Sequence, residues 1–167
     1  TRVELGVTVS FVSNSSSTYI NQRLDQLFPD ENRIRDRILV HSDAGKFRIT
    51  EPLPESALGE DARARFEQLP AALDFGLSRP VYLRRGDYFA ALGRALGGDF
   101  AQITQSVVCG DIWELDLAMP RCLGARIHLL ERATPFDTYE YEREAVAAAG
   151  VWAKTGRTLY SLLDWFD

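Results

Sequence analysis

Arg84-Arg85-Gly86-Asp87 is the most compact group of residues with binding chemistry in this chain. Two adjacent guanidinium groups just ahead of a helix could converge with unpaired backbone N–H groups on an anion, and Tyr82 and Tyr88 could form the walls of such a site. The plain alternative is pairing of both arginines with acidic side chains. Arg33, Arg35 and Arg37 alternate along what reads as a strand, with His41 beyond them and Arg48 on the following strand. That stripe could meet phosphates or carboxylates, or it could be a charged outer sheet face. The run Ser13-Asn14-Ser15-Ser16-Ser17-Thr18 offers helix caps and a possible anion cradle, but lacks the glycines and lysine of a phosphate-binding P-loop.

The acidic residues suggest different chemistry. Asp111, Glu114 and Asp116, with Glu131 from a neighbouring strand, could supply oxygen ligands or an acid–base pair. On a strand whose other side is Trp113, Leu115 and Leu117, the ordinary role of Glu114 and Asp116 is to face water. Glu114, Asp116, Glu131, Asp137, Glu140 and Glu144 together would make an acidic patch able to steer the chain towards a basic surface.

Cys109 and His128 could form a thiol–imidazole pair, although Cys109 follows Val107-Val108 and reads as a buried, inert thiol. His41 and His128 are the only imidazoles, and neither has a metal-ligand spacing to another histidine or a cysteine. No metal and no cofactor is expected. Two cysteines, Cys109 and Cys122, do not make a disulfide framework, so reduced thiols are expected.

Charge narrows the partners. The net charge of −5 resides in the second half: residues 1–98 hold 13 acidic and 13 basic side chains, whereas residues 99–167 hold 11 and 6. An acidic balance argues against duplex nucleic acid, whose affinity depends on phosphate neutralisation. The chain lacks an apolar run of membrane-spanning length, so no membrane association is expected. Arginine outnumbers lysine 17 to 2, which reads as genomic base composition. A bacterial cytoplasmic location is expected.

The elements that must position these residues follow from periodicity. Val3, Leu5, Val7, Val9 and Phe11 alternate with polar or small residues, predicting a first strand with one buried face. Ile20, Leu24, Leu27 and Phe28 predict a helix ending at Pro29. Residues 33–41 and 46–50 read as a hairpin around Ser42-Asp43-Ala44-Gly45, with Ile34, Ile38, Val40, Phe47 and Ile49 inward. Glu51-Pro52-Leu53-Pro54 breaks the pattern. An irregular helix over 56–76, interrupted by Pro70, and a short extended Val81-Tyr82-Leu83 come next. A helix from Asp87 to Leu96 stops at Gly97-Gly98. Strands are then predicted near 100–109, 112–118 and 125–131. Asp137 and Glu140 look like a capping box opening a long terminal helix, whose stripe runs from Tyr141 through Ala145, Ala148, Trp152, Thr155, Leu159 and Leu162 to Phe166.

These elements predict a single α+β domain over 1–167. It has a mainly antiparallel sheet, helices mostly on one face, the arrangement of a decorated ferredoxin-like plait, and a long C-terminal helix available for self-association. Two functional classes fit. The first is a noncatalytic module of inhibitor or immunity type that binds a basic protein through the acidic patch. The second is a small enzyme or binding protein for an anionic metabolite, with Arg84 and Arg85 as a clamp.

Overall fold

The computed structural model describes residues 7–30, 32–49 and 59–166. Val3, Leu5, Thr50 and the breaker at 51–54 lie outside them. In chain order the elements are β1 (Val9–Val12), α1 (Ser17–Leu27), α2 (Asn32–Arg35), β2 (Ile38–His41), α3 (Glu60–Gln68), β3 (Ala72–Leu73), β4 (Val81–Tyr82) and α4 (Gly86–Ala95). A 3-10 segment, Phe100–Gln105, leads into β5 (Val107–Gly110), a π-helical turn (Trp113–Leu117), α5 (Ala118–Cys122) and β6 (Arg126–Leu130). Next are α6 (Glu140–Ala148), a 3-10 turn (Gly150–Trp152), β7 (Ala153–Gly156) and a final 3-10 segment, Leu159–Trp165. Two compact units contain them, one of Thr1–Gly59 with Arg85–Asp99 and one of Glu60–Arg84 with Phe100–Asp167.

In the first unit β1 and β2 are parallel, with Val9 opposite Ile38 and Val12 opposite His41. Parallel strands require a crossover, which α1 and α2 provide. The Ser16 hydroxyl caps α1 by accepting the Tyr19 N–H at 3.4 Å. Ile20 and Leu24 then join Ile34 and Ile38 in a small core, as their periodicity predicted. Leu27 is 71% exposed, Phe47 59%, Ile49 54% and Phe11 40%, so four residues expected inside are exposed. The expected hairpin is absent: residues 32–35 form a helical turn, β2 pairs with β1, and residues 46–49 are not a strand. Helix α4 buries Tyr88, Phe89, Ala91 and Leu92, and packs on β1 and β2. Its stop is the predicted one: Gly97 and Gly98 adopt φ of +65° and +87°, and the Gly98 N–H reaches back to the Gly93 carbonyl at 2.8 Å.

In the second unit β3 and β4 form a short antiparallel pair, while β5, β6 and β7 form a parallel sheet in that order. The expected antiparallel plait is therefore corrected to short, mostly parallel sheets with helical crossovers. One segment accounts for the change. Trp113-Glu114-Leu115-Asp116-Leu117 alternates like a strand, yet Trp113 and Leu117 also stand four apart, the spacing of one helical face. Both are buried in a core with Ile127, Leu129, Ala145 and Val146. With 112–118 coiled rather than extended, β5 and β6 are joined by a helical crossover, the connection that their parallel pairing requires. Residues 100–105 are likewise helical rather than extended.

The long terminal helix is also absent. Helix α6 ends at Ala148, Gly150 takes φ +57°, and the chain re-enters the sheet as β7. The predicted stripe is dispersed, with Leu159 62% exposed and Trp152 45%. No self-association helix is formed. Among the described residues no helix is long and apolar enough to cross a membrane.

The burial contrast has a measurable consequence. Leu129→Ala, at a fully buried position, should cost about 2–5 kcal/mol of unfolding free energy in urea titration. Leu27→Ala should stay within about 0.5 kcal/mol.

Candidate functional site

The arginines expected to bind an anion are engaged with the protein itself. Arg84 donates from Nε to the Leu69 carbonyl at 2.8 Å and from Nη2 to the Glu67 carbonyl at 3.0 Å. It thereby caps the C-terminal end of α3, where carbonyls lack intrahelical donors. Arg85 is 2% exposed and donates to the Lys46 carbonyl at 2.8 Å. Tyr88 is buried beneath the Lys46 ammonium, which lies 5.1 Å from its ring centroid, while Tyr82 sits in β4.

The Arg33, Arg35 and Arg37 stripe is not formed, because α2 replaces the expected strand. Arg35 clips α2 to α1 through Asp25 at 2.9 Å and the Asn21 side-chain oxygen at 2.5 Å. Arg33 and Arg37 are exposed. The serine-rich turn is built as a cap and a tie to the loop at 46: the Ser13 hydroxyl accepts the Ser15 N–H at 3.1 Å, and Asn14 Oδ1 accepts the Lys46 N–H at 2.7 Å. His41 follows at the end of β2. Burial and the nearby Arg94 charge hold its imidazole below the ordinary range.

The acidic residues divide into two sets. Asp137, Glu140 and Glu144 are exposed. Glu131 lies between Arg143 at 3.8 Å and Arg157 at 4.0 Å. Glu114 is 9% exposed and receives both terminal nitrogens of Arg79 at 2.9 Å, so it faces a paired guanidinium rather than water. The coiling of 112–118 produces this inversion, carrying Glu114 and Asp116 off the wet face expected of a strand.

Asp111 and Asp116 lie where β5 ends. Asp111 is exposed, whereas Asp116 is 8% exposed and its Oδ2 accepts the Ile112 N–H at 3.1 Å. The Asp116 side chain rests on Gly110, where an added Cβ would stand 2.3 Å from the Asp116 Cβ. Glycine is required there by close approach rather than by backbone conformation. Two carboxyl groups are thus carried at the carboxyl edge of a parallel sheet.

The Cys109 and His128 pair does come together, as register partners on β5 and β6. Burial, with help from Asp116 and Asp111, pushes the Cys109 thiol up to about 11, leaving it protonated and unreactive near neutrality. Both cysteines are free thiols. Among the described residues no group of three or more metal-ligating side chains occurs.

Glu142 was missed in the sequence, although its neighbours Glu140 and Glu144 were singled out. It is fully buried. Its Oε1 accepts the Trp113 N–H at 2.9 Å, and its Oε2 accepts the Tyr139 N–H at 2.9 Å and pairs with Arg132. A capping-box signal was legible but two residues out of phase: α6 starts after Tyr139, which places Glu142 rather than Glu140 at its third position.

Comparison of the chain with known protein families, curated proteins and solved structures finds no match.

Glu142→Ala would leave the Trp113 and Tyr139 N–H groups without their acceptor and the partly buried Arg132 guanidinium without its carboxylate, and should cost about 2–4 kcal/mol in chemical denaturation. Burial raises the Cys122 thiol too, with Arg121 opposing it, but the residue is exposed, so at about pH 8 a thiol alkylating reagent should label Cys122 faster than Cys109. Cys109 labelling should accelerate only as the pH approaches about 11. Equal rates for the two thiols at about pH 8 would contradict its burial.

Proposed function

We propose that this chain binds a small anionic, phosphate-bearing metabolite as part of an α/β enzyme or binding protein, with a divalent cation held by Asp111 and Asp116. The observation that carries this reading is the Asp116 carboxyl group, seated so closely on Gly110 at the end of β5 that residue 110 must be glycine, with exposed Asp111 next in the chain. Magnesium keeps several waters and commonly takes only one or two protein carboxylates, with substrate phosphates completing its octahedron. Two protein carboxylates are therefore a sufficient set. The Ile112 N–H orients the Asp116 carboxyl group, and exposed Asp111 can meet a hydrated ion. A cation so placed would offset phosphate charge and polarise the phosphoryl oxygens. Arg84 and Arg85 have no part in this proposal, because their guanidinium groups hold backbone carbonyls. The two free thiols accord with a cytoplasmic location.

A second reading, docking to a basic protein, is favoured by a different surface. Asp137, Glu140 and Glu144 are exposed beside Phe136, 76% exposed, and Tyr139, 64% exposed. Charge there could steer association while the aromatic rings anchor it. Glu114 and Glu131 contribute little to that field, since both face arginine.

Calorimetric titration with magnesium in the presence of inorganic phosphate distinguishes the readings. Asp111→Asn and Asp116→Asn should each weaken cation binding by about tenfold or more. Charge reversal at Glu140 and Glu144 should leave it unchanged. Absence of cation binding to the folded protein, or binding by both asparagine variants as tight as that of the unmodified protein, would sink the metabolite proposal.

A further inference from the structure

Sheet alternation sends Ile127 and Leu129 of β6 into the core shared with Trp113, Ala145 and Val146, and sends His128 to the opposite face. On that face His128 is nonetheless fully buried, because the C-terminal 3-10 segment Leu159–Trp165 lies over it. The Trp165 indole N–H donates to His128 Nδ1 at 3.1 Å, while His128 Nε2 lies 2.8 Å from Ser161 Oγ. An indole nitrogen can only donate. Nδ1 must therefore carry the lone pair, and in the neutral ring Nε2 carries the hydrogen. Ser161 Oγ accepts that hydrogen and passes its own to the Thr158 carbonyl at 2.6 Å. The relay runs in one direction, from Trp165 through His128 and Ser161 to Thr158.

This polarity excludes a serine–histidine nucleophile pair, since Ser161 faces an N–H and has no base to receive its proton. It also makes the relay depend on the charge of one ring. We propose that Leu159–Trp165 is a pH-gated clasp over the β6–β7 face of the sheet, closed by neutral His128 and opened when His128 takes up a proton. A proton on Nδ1 would set two donors against each other at the Trp165 indole and place an imidazolium beneath the segment.

The surroundings decide the pH at which this happens. Cys109 of β5 and Lys154 of β7 are the register neighbours of His128, and Asp164 belongs to the covering segment. Lys154 donates to the Asp164 carbonyl at 2.5 Å, and its ammonium stands 4.7 Å from the Trp165 ring centroid, with the Arg126 guanidinium at 5.6 Å. Burial and Lys154 disfavour the imidazolium, and the Asp164 carboxylate favours it only in part. The imidazole is thus held below its ordinary value of 6.5 while the clasp is shut. A base with a lowered value in the closed state stabilises closure above that ordinary value, and loses this contribution as the pH falls below it.

Gly156 shows how closely the segment seats. A Cβ there would stand 1.8 Å from Ser161 Oγ and 3.0 Å from His128 Nε2. Its φ is not positive, so Gly156→Ala adds bulk under the clasp without imposing backbone strain.

Hydrogen exchange of the whole chain, corrected for intrinsic rates, tests the proposal at about pH 7.5 and about pH 5, on either side of the ordinary imidazole range. In the unmodified protein, amides of Leu159–Trp165 should exchange at least about tenfold faster at the lower pH, while those of β5 and β6 keep their protection. Gly156→Ala and Ser161→Ala should exchange fast in this segment at both pH values. His128→Gln should lose the pH dependence. Equal protection at both pH values, pH-dependent opening retained in His128→Gln, or simultaneous loss of protection in β5 and β6 would overturn the clasp. Should the His128 variant not fold, nitrogen NMR of the unmodified protein still decides. Neutral His128 protonated on Nε2 supports the relay, and His128 protonated on Nδ1 near pH 7.5 refutes it.

Discussion

A single buried carboxylate, that of Glu142, sets the local geometry of the second unit. It satisfies the first N–H of the turn after β5, satisfies the N–H at the start of α6, and neutralises Arg132. A fully buried acid is tolerable only with such a set of donors, because an unpaired charge in the interior is far too costly. By accepting the Trp113 N–H it fixes where the chain leaves the strand direction and begins to coil. By accepting the Tyr139 N–H it fixes where α6 begins. Both crossovers of the β5–β6–β7 sheet are therefore tied to one side chain.

Those crossovers determine which chemistry gathers where. Parallel strands end on the same edge, so residues just beyond β5 are displayed at a carboxyl edge. The coil that begins after Ile112 brings Asp116 back onto Gly110 and beside the end of β5. The same coil buries Glu114 against Arg79 and removes it from any surface patch. One backbone change thus separates two carboxylates that read alike in the sequence: Asp116 goes to a strand end, and Glu114 to an internal ion pair.

The opposite face of the sheet is governed by β6 alternation. Ile127 and Leu129 pack under α6 and the π-helical turn, leaving His128 to be covered by whatever the chain places over it. Because β7 is short and ends at Gly156, the remaining residues can fold back within reach of His128. The cover is polar in its attachment and largely exposed outside, with Tyr160 82% exposed. Hydrogen bonds to one imidazole give the segment a defined seat that hydrophobic burial alone would not supply.

Local signals were legible where short-range physics decides. The helix of Ile20 and Leu24, the Gly97-Gly98 stop, the extended Val81-Tyr82 and the strand near 125–131 all follow from periodicity and turn chemistry within a few residues. The capping signal before α6 was visible too, but its phase was not, because Asp137 and Tyr139 stand close together and only the tertiary partners Trp113 and Arg132 select Glu142. Strand pairing direction, the coil at 112–118 and the roles of the arginines were decided by tertiary structure. Trp113 and Leu117 satisfy strand and helix spacing equally over five residues, and only the core they enter distinguishes the two. Arg84 and Arg85 carry the same charge whether they meet a ligand or a carbonyl, and only the end of α3 and the loop at Lys46 supply the acceptors. Sequence by itself thus determined which residues could be buried, capped or charged, since those properties belong to single side chains and near neighbours. The partners of Glu142, Asp116 and His128 lie between 3 and 37 positions away, and only the folded chain brings the distant ones within hydrogen-bonding distance.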